Sequence, residues 1–425
     1  MKKIIIPLIL AFSATICRAQ ANPEFARLIR ENHAVACLNA CPYELNPMFG
    51  DLQDSPAPKG YKPVYISHYG RHGSRSSWEQ HYYAEIIKNL TGAKNAGILT
   101  ASGDSLLRET ILVNEATAGM DGRLTPRGCR EHRGIAERMY RRYPAVFRKG
   151  SRNVRVLSSE VPRCLVSMAA FTGRLSEIDN KLKISMDCGS QIQKIISNGT
   201  SPFASDAKGE VRDSLVKAMR LDVQPLMELL FTDVDAARKY VPDANRLCKQ
   251  IFATARISRS FDYDFDMFRY LSFDAIYKWA EVNNLNLYLG QCNSKLLGHD
   301  RMPRTKPLVD NIVNSADEAL ASGETAADLR FGHDYPLLAL CSYFGIEGVG
   351  ERYSVREALE NWISTYYTPF AGNLQLVFYK GRRDGEPVLV KFLLNEKETL
   401  IPALRSVQGP YYRWDDVKAY LKTVA

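Results

Sequence analysis

A histidine stands between two arginines in the sequence RHGSR at residues 71–75. A neutral imidazole nitrogen is a competent nucleophile toward phosphorus, but the negative oxygens of a phosphate group repel an electron-rich attacker. Arginine carries a permanent charge on a planar fork that matches two phosphate oxygens at once. Gly73 is expected to let the backbone approach the anion closely. The run predicts phosphoryl transfer through a phosphohistidine, with His72 as nucleophile and Arg71 and Arg75 as phosphate ligands.

The position of this run in the chain supports a functional interpretation. Residues 63–67 form an apolar stretch typical of a strand, and the RHGSR run follows this stretch directly. In open α/β sheets, ligands bind at the carboxyl ends of the strands. A short basic run on a solvated surface is the ordinary alternative.

Three further segments follow in chain order. The sequence LTPRG at 124–128 predicts the start of a basic amphipathic helix, because Thr125 suits an N-cap and proline suits the first helical position. Residues 154–159 are typical of a strand, and a helix is predicted to begin near Arg163. The sequence FGHD at 331–334 joins a strand candidate to another predicted helix.

Together, these four segments resemble the histidine phosphatase superfamily, and in particular its histidine acid phosphatase and phytase branch, which includes the multiple inositol polyphosphate phosphatases. The resemblance covers about residues 61–395. It implies that Arg163 is a third phosphate-binding arginine, that His333 also binds phosphate, and that Asp334 is the proton donor. It implies neither a metal nor any other cofactor.

A second Gly-His-Asp sequence competes for the role of proton donor. His299 and Asp300 stand in a context typical of a loop at the end of a helical region, whereas Asp334 follows a strand candidate and starts a helix. We therefore predict Asp334 to be the donor rather than Asp300. The ordinary interpretation of Asp334 is a helix N-cap, and one residue can serve both purposes.

Composition and patterning predict an α/β fold, with a mostly parallel central sheet flanked by helices and an inserted, mainly helical cap domain. A hydrophobic content of 45% with 24% charged residues is typical of a soluble globular protein. Strand and helix patterns alternate over 61–190, and strand patterns return within 308–425, so these ranges are predicted to form the core. Residues 191–307 lack strand patterns and are predicted to form the cap.

Two smaller elements are predicted outside this alternation. Residues 20–60 are rich in proline, asparagine and small residues, and we expect an irregular segment that wraps the surface. Residues 374–378 and 388–392 predict a late hairpin that turns around Arg383-Asp384-Gly385.

The first 19 residues are predicted to be a signal peptide. Two lysines precede an apolar run from Ile4 to Ile16, and a small residue, Ala19, stands at the expected cleavage position. The run is too short to span a bilayer comfortably. The expected location is therefore the periplasm or the exterior of the cell, without a stable membrane span. Lipid attachment at Cys17 is an alternative, which the neighbouring Arg18 disfavours.

Removal of residues 1–19 takes away three basic residues and no acidic one, so the net charge falls from +9 to +6. A moderately basic surface suits polyanionic small molecules, although it also serves solubility. No dense basic run with interleaved aromatic residues predicts a nucleic-acid partner. Eight cysteines remain, and a disulfide between Cys37 and Cys41 is the one specific pairing expected.

The expected partner is a phosphorylated small molecule, with phytate or other inositol polyphosphates as the leading substrates. The inositol polyphosphate group of the family usually carries His-Ala-Glu where this chain has His333-Asp334. A broad-specificity or sugar-phosphate acid phosphatase is therefore an alternative. A non-catalytic phosphate-binding surface protein is another alternative.

His132 is expected to lie exposed on its basic helix. The oligomeric state is not predicted.

Overall fold

The structure is a computed structural model that describes residues 21–197, 199, 201–383 and 385–424. The predicted signal peptide and Asp384, the centre of the predicted hairpin turn, lie outside the described residues. The strands, in chain order, are β1 (Lys62–Arg71), β2 (Asn153–Ser158), β3 (Lys183–Cys188), β4 (Thr325–Gly332), β5 (Asn373–Lys380), β6 (Leu389–Leu394), β7 (Lys397–Thr399) and β8 (Tyr411–Arg413).

The α-helices are α1 (Pro23–Glu31), α2 (His81–Asn95), α3 (Ala101–Thr117), α4 (Pro126–Arg142), α5 (Pro162–Ile178), α6 (Ser190–Ile196), α7 (Pro202–Ala218), α8 (Gln224–Leu230), α9 (Val234–Ala237), α10 (Ala244–Ser258), α11 (Phe273–Gln291), α12 (Gly298–Ser322), α13 (Asp334–Phe344), α14 (Val355–Asn361) and α15 (Trp414–Leu421). Short 3₁₀ helices occupy His33–Ala40, Tyr43–Leu45, Met267–Tyr270 and Ser364–Tyr366, and one π-helical turn occupies Ala145–Lys149. Within the described ranges, no helix combines the length and the apolar character that crossing a membrane requires.

One twisted sheet organises the molecule, and its strand order is β3-β2-β4-β1-β5-β6-β7, with β8 paired to β6. The four strands β3, β2, β4 and β1 run parallel, and β5 to β8 extend the sheet in antiparallel fashion. The predicted α/β fold class is confirmed. The predicted late hairpin is also confirmed, because β5 and β6 pair in antiparallel register.

Helices cover both faces of the sheet. On one face, apolar residues of α4 and α5 pack on β2, β4 and β1, for example Met139 and Phe171 with Phe331. On the other face, α12 and α13 supply Val309, Ile312 and Leu338 to a second cluster, which includes side chains of β1, β5 and β6. All eight residues of β4 are buried, as expected for a central strand covered on both faces.

A separate helical body is built from more of the chain than the predicted insertion. Its apolar cluster joins α1 and the following 3₁₀ helix to α2, α3, α8, α10 and α11. The described part of 191–307 contains helices without a named strand, but the predicted boundary at 307 falls inside the 25-residue helix α12. Residues 20–60 were expected to be irregular, yet α1 buries Phe25 and Ile29 on one face in this body.

The structure corrects the predicted disulfide. All eight cysteines of the described chain are free, including Cys37 and Cys41. Both thiols are buried in and beside the 3₁₀ helix His33–Ala40. Burial raises the pKa of Cys37 to about 12 and that of Cys41 well above its ordinary value. These thiols therefore act as small apolar core groups.

The structure also corrects the expected exposure of His132, which is buried under the sheet. Its ring packs edge-on against Phe331 at a centroid distance of 5.6 Å, and the ring of His68 packs on the same phenylalanine at 5.5 Å. Burial lowers the pKa of each of these two histidines to about 3. Both therefore stay neutral in the folded protein at pH values where an exposed histidine is charged.

We expect His132→Met to reduce the sensitivity of the fold to acid. The unfolded chain takes up a proton on this histidine near pH 6.5, whereas the folded protein does so only near pH 3, so acid favours unfolding between these values. Each such histidine lowers the free energy of unfolding by roughly 1.4 kcal/mol per pH unit in this window. Urea unfolding at about pH 7 and about pH 5 measures this loss.

The variant should lose less stability between the two pH values than the parent protein does. The matched control is His81→Met, because His81 is exposed at the start of α2. An unchanged pH dependence in His132→Met would contradict the assignment of this histidine as an acid-sensitive core group.

Candidate active site

The predicted site residues follow the ends of three neighbouring parallel strands. β1 is followed by His72, and β4 is followed by His333 and Asp334. β2 leads through a turn into α5, which carries Arg163 in its first turn. Because β4 lies between β1 and β2, the carboxyl ends of these strands bring the three segments together at one edge of the sheet.

His72 is fixed by its backbone and by one ring nitrogen. Its N–H donates to the carbonyl of Gly332 at 2.9 Å, and its carbonyl accepts from the N–H of Ala371 at 3.0 Å. Nδ1 lies 2.9 Å from the carbonyl oxygen of Gly73, and this contact requires the proton to be on Nδ1 because a carbonyl only accepts. Burial and then the charge of Arg71 hold the pKa of His72 well below its ordinary value. Nε2 therefore keeps the free lone pair that nucleophilic attack requires.

Three arginines present N–H groups that lack partners. Arg71 is buried, and its Nη1 donates to the carbonyls of Thr368, at 2.9 Å, and of Asn39. Among the described residues, the Nε atoms of Arg71, Arg75 and Arg163 and the Nη1 atom of Arg163 are buried without a hydrogen-bond partner. Each unpaired buried donor costs about 1–3 kcal/mol. An anion with several oxygens would satisfy all four donors.

The crowding of positive charge affects the pKa of Arg75. Burial, followed by repulsion from Arg71 and Arg163, lowers its pKa to about 9. The guanidinium remains charged at neutral pH, so three cations share one small region. A bound phosphate dianion would relieve this repulsion.

The ring of His333 is engaged by neighbours on both edges. Nη2 of Arg163 lies 3.0 Å from Nδ1, and since arginine only donates, Nδ1 must accept. Nε2 then carries the proton and lies 3.2 Å from the hydroxyl of Ser159. The ring stacks on Tyr335 and lies 5.6 Å from the ring of His72. Burial and the charge of Arg163 lower the pKa of His333 to about 3, so the ring is neutral, and its one N–H faces Ser159 in the free protein.

Asp334 starts α13, and both of its carboxyl oxygens are held. Oδ1 accepts from the N–H of Tyr335 at 2.9 Å, and Oδ2 accepts from Nδ2 of Asn39 at 2.6 Å. Nη2 of Arg71 lies 3.5 Å from Oδ2. Burial raises the pKa of Asp334, but Arg71, the hydrogen bond from Asn39 and His333 outweigh burial and hold the pKa at about 2. The free protein therefore carries Asp334 as a carboxylate.

The competing pair, His299 and Asp300, lies elsewhere. It was expected in a loop, but both residues lie in the first turn of α12. Oδ2 of Asp300 accepts from the N–H of Ser201 at 3.4 Å, within the helical region. The structure places Asp334, and not Asp300, against the arginines.

Gly73 is required for a reason that differs from the expected one. A Cβ at Gly73 would lie 2.6 Å from the carbonyl oxygen of Gly128, and a Cβ at Gly128 would lie 2.4 Å from the carbonyl oxygen of Ser74. The side chain of Thr125, the N-cap of α4, donates to the same Ser74 carbonyl at 3.1 Å. Gly73 therefore allows α4 to pack directly on the RHGSR loop. This contact explains why the LTPRG segment has a glycine at 128 and a threonine at 125.

A buried carboxylate that the sequence analysis missed also holds the loop. Glu131 accepts from the N–H and the hydroxyl of Ser74, both at 2.7 Å, and from the N–H of Tyr43 at 2.9 Å. Burial raises the pKa of Glu131, and these hydrogen bonds act in the opposite direction. Glu131 lies among basic residues in the sequence, and nothing in that context distinguishes it from a surface acid.

Arg71 and Arg75 line a cavity of about 400 Å³. The lining residues that the sequence analysis missed include Asn39, Arg256 on α10, and Trp78 just after the RHGSR run. Trp78 is exposed, and the guanidinium groups of Arg163 and Arg75 lie 5.2 and 6.0 Å from its ring. The remaining lining residues are Ala40, Arg71, Arg75, Ser77, Glu79, Ala253, Ile257, Asn283, Asn286, Leu287 and Phe370. The described residues contain no group of three or more histidine, cysteine, aspartate or glutamate side chains that could hold a metal ion.

The chain resembles known phosphatases in sequence and in fold. The chain is 26% identical to chicken (Gallus gallus) multiple inositol polyphosphate phosphatase 1 over 326 residues, which are 71% of this chain and 69% of the relative. No protein-family model matches the chain. Among solved structures, the multiple inositol polyphosphate phosphatase of Bifidobacterium longum in complex with inositol hexasulfate aligns with a TM-score of 0.69 at 18% identity, covering 91% of this chain and 97% of that one.

A phytase from D. castellii aligns with a TM-score of 0.65 at 15% identity, over 92% of this chain and 85% of that chain. The chain has the fold of these two phosphatase structures. The resemblance predicted from the sequence is thereby confirmed. The residue roles that the resemblance implies remain predictions that mutation can test.

The predicted proton donor can be tested by its dependence on the leaving group. We expect Asp334→Asn to lower kcat on an alkyl phosphate by about 10²–10⁴-fold, because an alkoxide is a poor leaving group without a proton. An aryl phosphate, whose leaving group is far less basic, should lose much less. The measurement compares kcat on both substrates for the parent and variant proteins.

Asp300→Asn is the matched control, because this carboxylate also starts a helix but does not contact the arginines. We expect it to leave the ratio of the two kcat values unchanged. The opposite outcome, with Asp300→Asn rather than Asp334→Asn selective for the alkyl ester, would reverse the choice between the two His-Asp pairs.

Proposed function

We propose that this protein is a histidine-type acid phosphatase, a phosphomonoesterase that forms a phosphohistidine and acts on inositol polyphosphates. One observation carries the proposal: the unpartnered donors of Arg71, Arg75 and Arg163 meet around a histidine whose Nε2 is unprotonated. Donors of this kind bind a phosphoryl group, and a neutral imidazole attacks one.

The arginines supply binding and electrostatic stabilisation. The phosphoryl oxygens take up the free N–H groups, and the charge that spreads over these oxygens in the transition state faces fixed cations. His333 adds a neutral ring at the end of β4, and its Nε2 proton would bind a phosphoryl oxygen only in exchange for the Ser159 hydroxyl. Because the strand ends and the backbone contacts of His72 fix these groups before the substrate arrives, little reorganisation is needed during the reaction.

The reaction takes place in two displacements. In the first, the Nε2 lone pair of His72 forms a bond to phosphorus while the ester P–O bond breaks, and Asp334 gives its proton to the leaving oxygen. In the second, water attacks phosphorus, the P–N bond breaks and its electron pair returns to Nε2. Asp334 accepts the proton of the water, and inorganic phosphate leaves.

The proton that Asp334 gives away must enter with the substrate, because this carboxyl group has a pKa of about 2 in the free protein. A phosphate monoester loses its second proton near pH 6. The monoanionic ester therefore carries one proton into the site, and the negative charge of the bound phosphoryl group offsets the arginines and raises the pKa of Asp334. This favours acidic to near-neutral conditions.

Two observations support inositol polyphosphates as the substrate class. The relatives from chicken and B. longum are named for this activity, and the latter was solved with inositol hexasulfate. Further cations lie beyond the three arginines, since Arg256 lines the cavity and Lys208 on α7 is close enough to Asp334 for their charges to interact. These groups suit the additional phosphates of a polyphosphorylated ring.

The reaction type is tested by trapping the intermediate. We expect brief reaction with a ³²P-labelled ester, followed by an alkaline quench, to leave label on the parent protein but not on His72→Ala. Covalent catalysis has no substitute for the attacking atom, so His72→Ala should also lose turnover while keeping its melting transition. His81→Ala, at an exposed position, is the control. Turnover of His72→Ala within about tenfold of the parent would refute the nucleophile assignment.

The substrate class is tested by salt. Phosphates beyond the reacting one would rest on outer cations, whose attraction is screened over about 8–10 Å at ordinary ionic strength. We therefore expect the KM for phytate to rise more steeply with sodium chloride than the KM for an aryl phosphate, at fixed pH. Lys208→Gln should raise the KM for phytate alone, and Lys149→Gln, at an exposed position of the π-helical turn, should not.

Parallel salt responses, or no hydrolysis of phytate, would instead indicate a broad-specificity or sugar-phosphate acid phosphatase. A panel of phytate, glucose phosphates and an aryl phosphate separates these outcomes. We also propose, from the sequence of residues 1–19 alone, that the protein is exported to the periplasm or beyond.

A further inference from the structure

The side chain of Asn39 bridges the carboxyl group of Asp334 and the guanidinium group of Arg256. Nη2 of Arg256 donates to Oδ1 of Asn39 at 2.8 Å. Since arginine only donates, this contact fixes the orientation of the amide, and Nδ2 must face Asp334. Nδ2 donates to Oδ2 of Asp334 at 2.6 Å. Asn39 thereby contacts the proposed proton donor directly and does so from a different part of the chain.

The backbone around Asn39 is held from two sides. Nε of Arg256 donates to the carbonyl of Cys37 at 3.0 Å, and Nη1 of Arg71 donates to the carbonyl of Asn39 itself. Leu38, between these two residues, is fully buried and has a φ of 57°, a conformation that costs energy for a side chain of this kind. The surrounding contacts therefore hold a strained turn in the one arrangement that presents the Asn39 amide to the site.

A proton donor must point its acidic oxygen at the leaving group, and a free carboxyl group would rotate about χ2. In Asp334, Oδ1 is fixed by the N–H of Tyr335, and Oδ2 is fixed by Asn39. Arg71 lies farther from Oδ2, at 3.5 Å, so the short contact to this oxygen is the one from Asn39. Loss of this contact would free one edge of the carboxyl group while leaving the arginines in place.

We propose that Asn39 is the positioning residue of the proton donor Asp334, and that Arg256 orients the amide for this purpose. The inference rests on the proposed function, because it assigns a role within that reaction. It concerns protonation of the leaving group alone and leaves the attack by His72 untouched. Its effect should therefore depend on how much help the leaving group needs.

The most informative variant is Asn39→Asp. A carboxylate at this position has nearly the same shape and can still accept from Arg256, but it cannot donate to Asp334 when ionised. We expect kcat on glucose 6-phosphate to fall by about tenfold or more, which is part of the full effect of general acid catalysis. On an aryl phosphate, kcat should fall less than about threefold. In Asn39→Ala, which adds no charge to the site, the KM values and the inhibition constant of inorganic phosphate should stay within about twofold.

Asn46→Ala is the matched control, because Asn46 is a buried asparagine of the same segment whose side chain bonds the carbonyl of Thr365 and the N–H of Met48 instead. It should leave the ratio of the two kcat values unchanged. Asn39→Ala should change this ratio in the same direction as Asn39→Asp. Asn39→Ser, which keeps a donor, replaces either variant that lacks the parent melting transition, and should show a smaller change in the same direction.

Equal losses on the alkyl and aryl esters, or no loss on either, would overturn the positioning role. A failure of the proposed function is recognised separately, because the parent protein would then neither hydrolyse the two esters nor form a phosphohistidine. If the parent is active and Asp334→Asn shows the leaving-group effect while the Asn39 variants do not, this inference alone is wrong.

Discussion

Positive charge is concentrated around His72 without an equal number of negative groups, and the rest of the site depends on this imbalance. The guanidinium groups of Arg71, Arg75 and Arg163 repel one another, and Asp334 offsets them only in part. The fold maintains this arrangement by anchoring the charges to strand ends and to backbone carbonyls. The same field adds to burial in keeping His72 neutral and outweighs burial in keeping Asp334 ionised, so it lowers the pKa of both reacting groups. A phosphoryl dianion is the counter-charge that this arrangement lacks.

Local patterns predicted the part of the site that is local in the sequence. Strand ends are recognisable from apolar stretches, and the residues that follow them, such as His72 and His333, necessarily lie at one edge of a parallel sheet. The fold class, the late hairpin and the family resemblance were accordingly predicted correctly. The sequence did not predict the roles of Asn39, Glu131 and Arg256. Each is a common residue type whose role comes from contacts with residues far away in the chain. No periodicity or spacing encodes such a contact.

The predictions for His132, for residues 20–60 and for Gly73 were wrong. In the first two cases, the composition of the segment was given more weight than the spacing of its apolar residues along a helix. His132 stands among charged residues, but it lies three residues before Ile135 and four before Ala136, and all three share the buried stripe of α4. Residues 20–60 are rich in residues typical of loops, yet the apolar positions of α1 recur at helical spacing. Gly73 was assigned to the anion, whereas the neighbouring helix is what requires it.

The placement of the segment from Phe25 to Cys41 inside the helical body has a consequence for how the molecule acquires its structure. This segment is synthesised early, but α10 and α11, against which it packs, come more than 200 residues later. Strand β1 likewise pairs on its two sides with β4 and β5, which lie more than 250 residues later in the chain. The entropic cost of closing a loop grows only slowly with its length, but long-range contacts of this kind slow folding. The catalytic edge of the sheet therefore cannot be completed before β4 and β5, which extend to Lys380, are available.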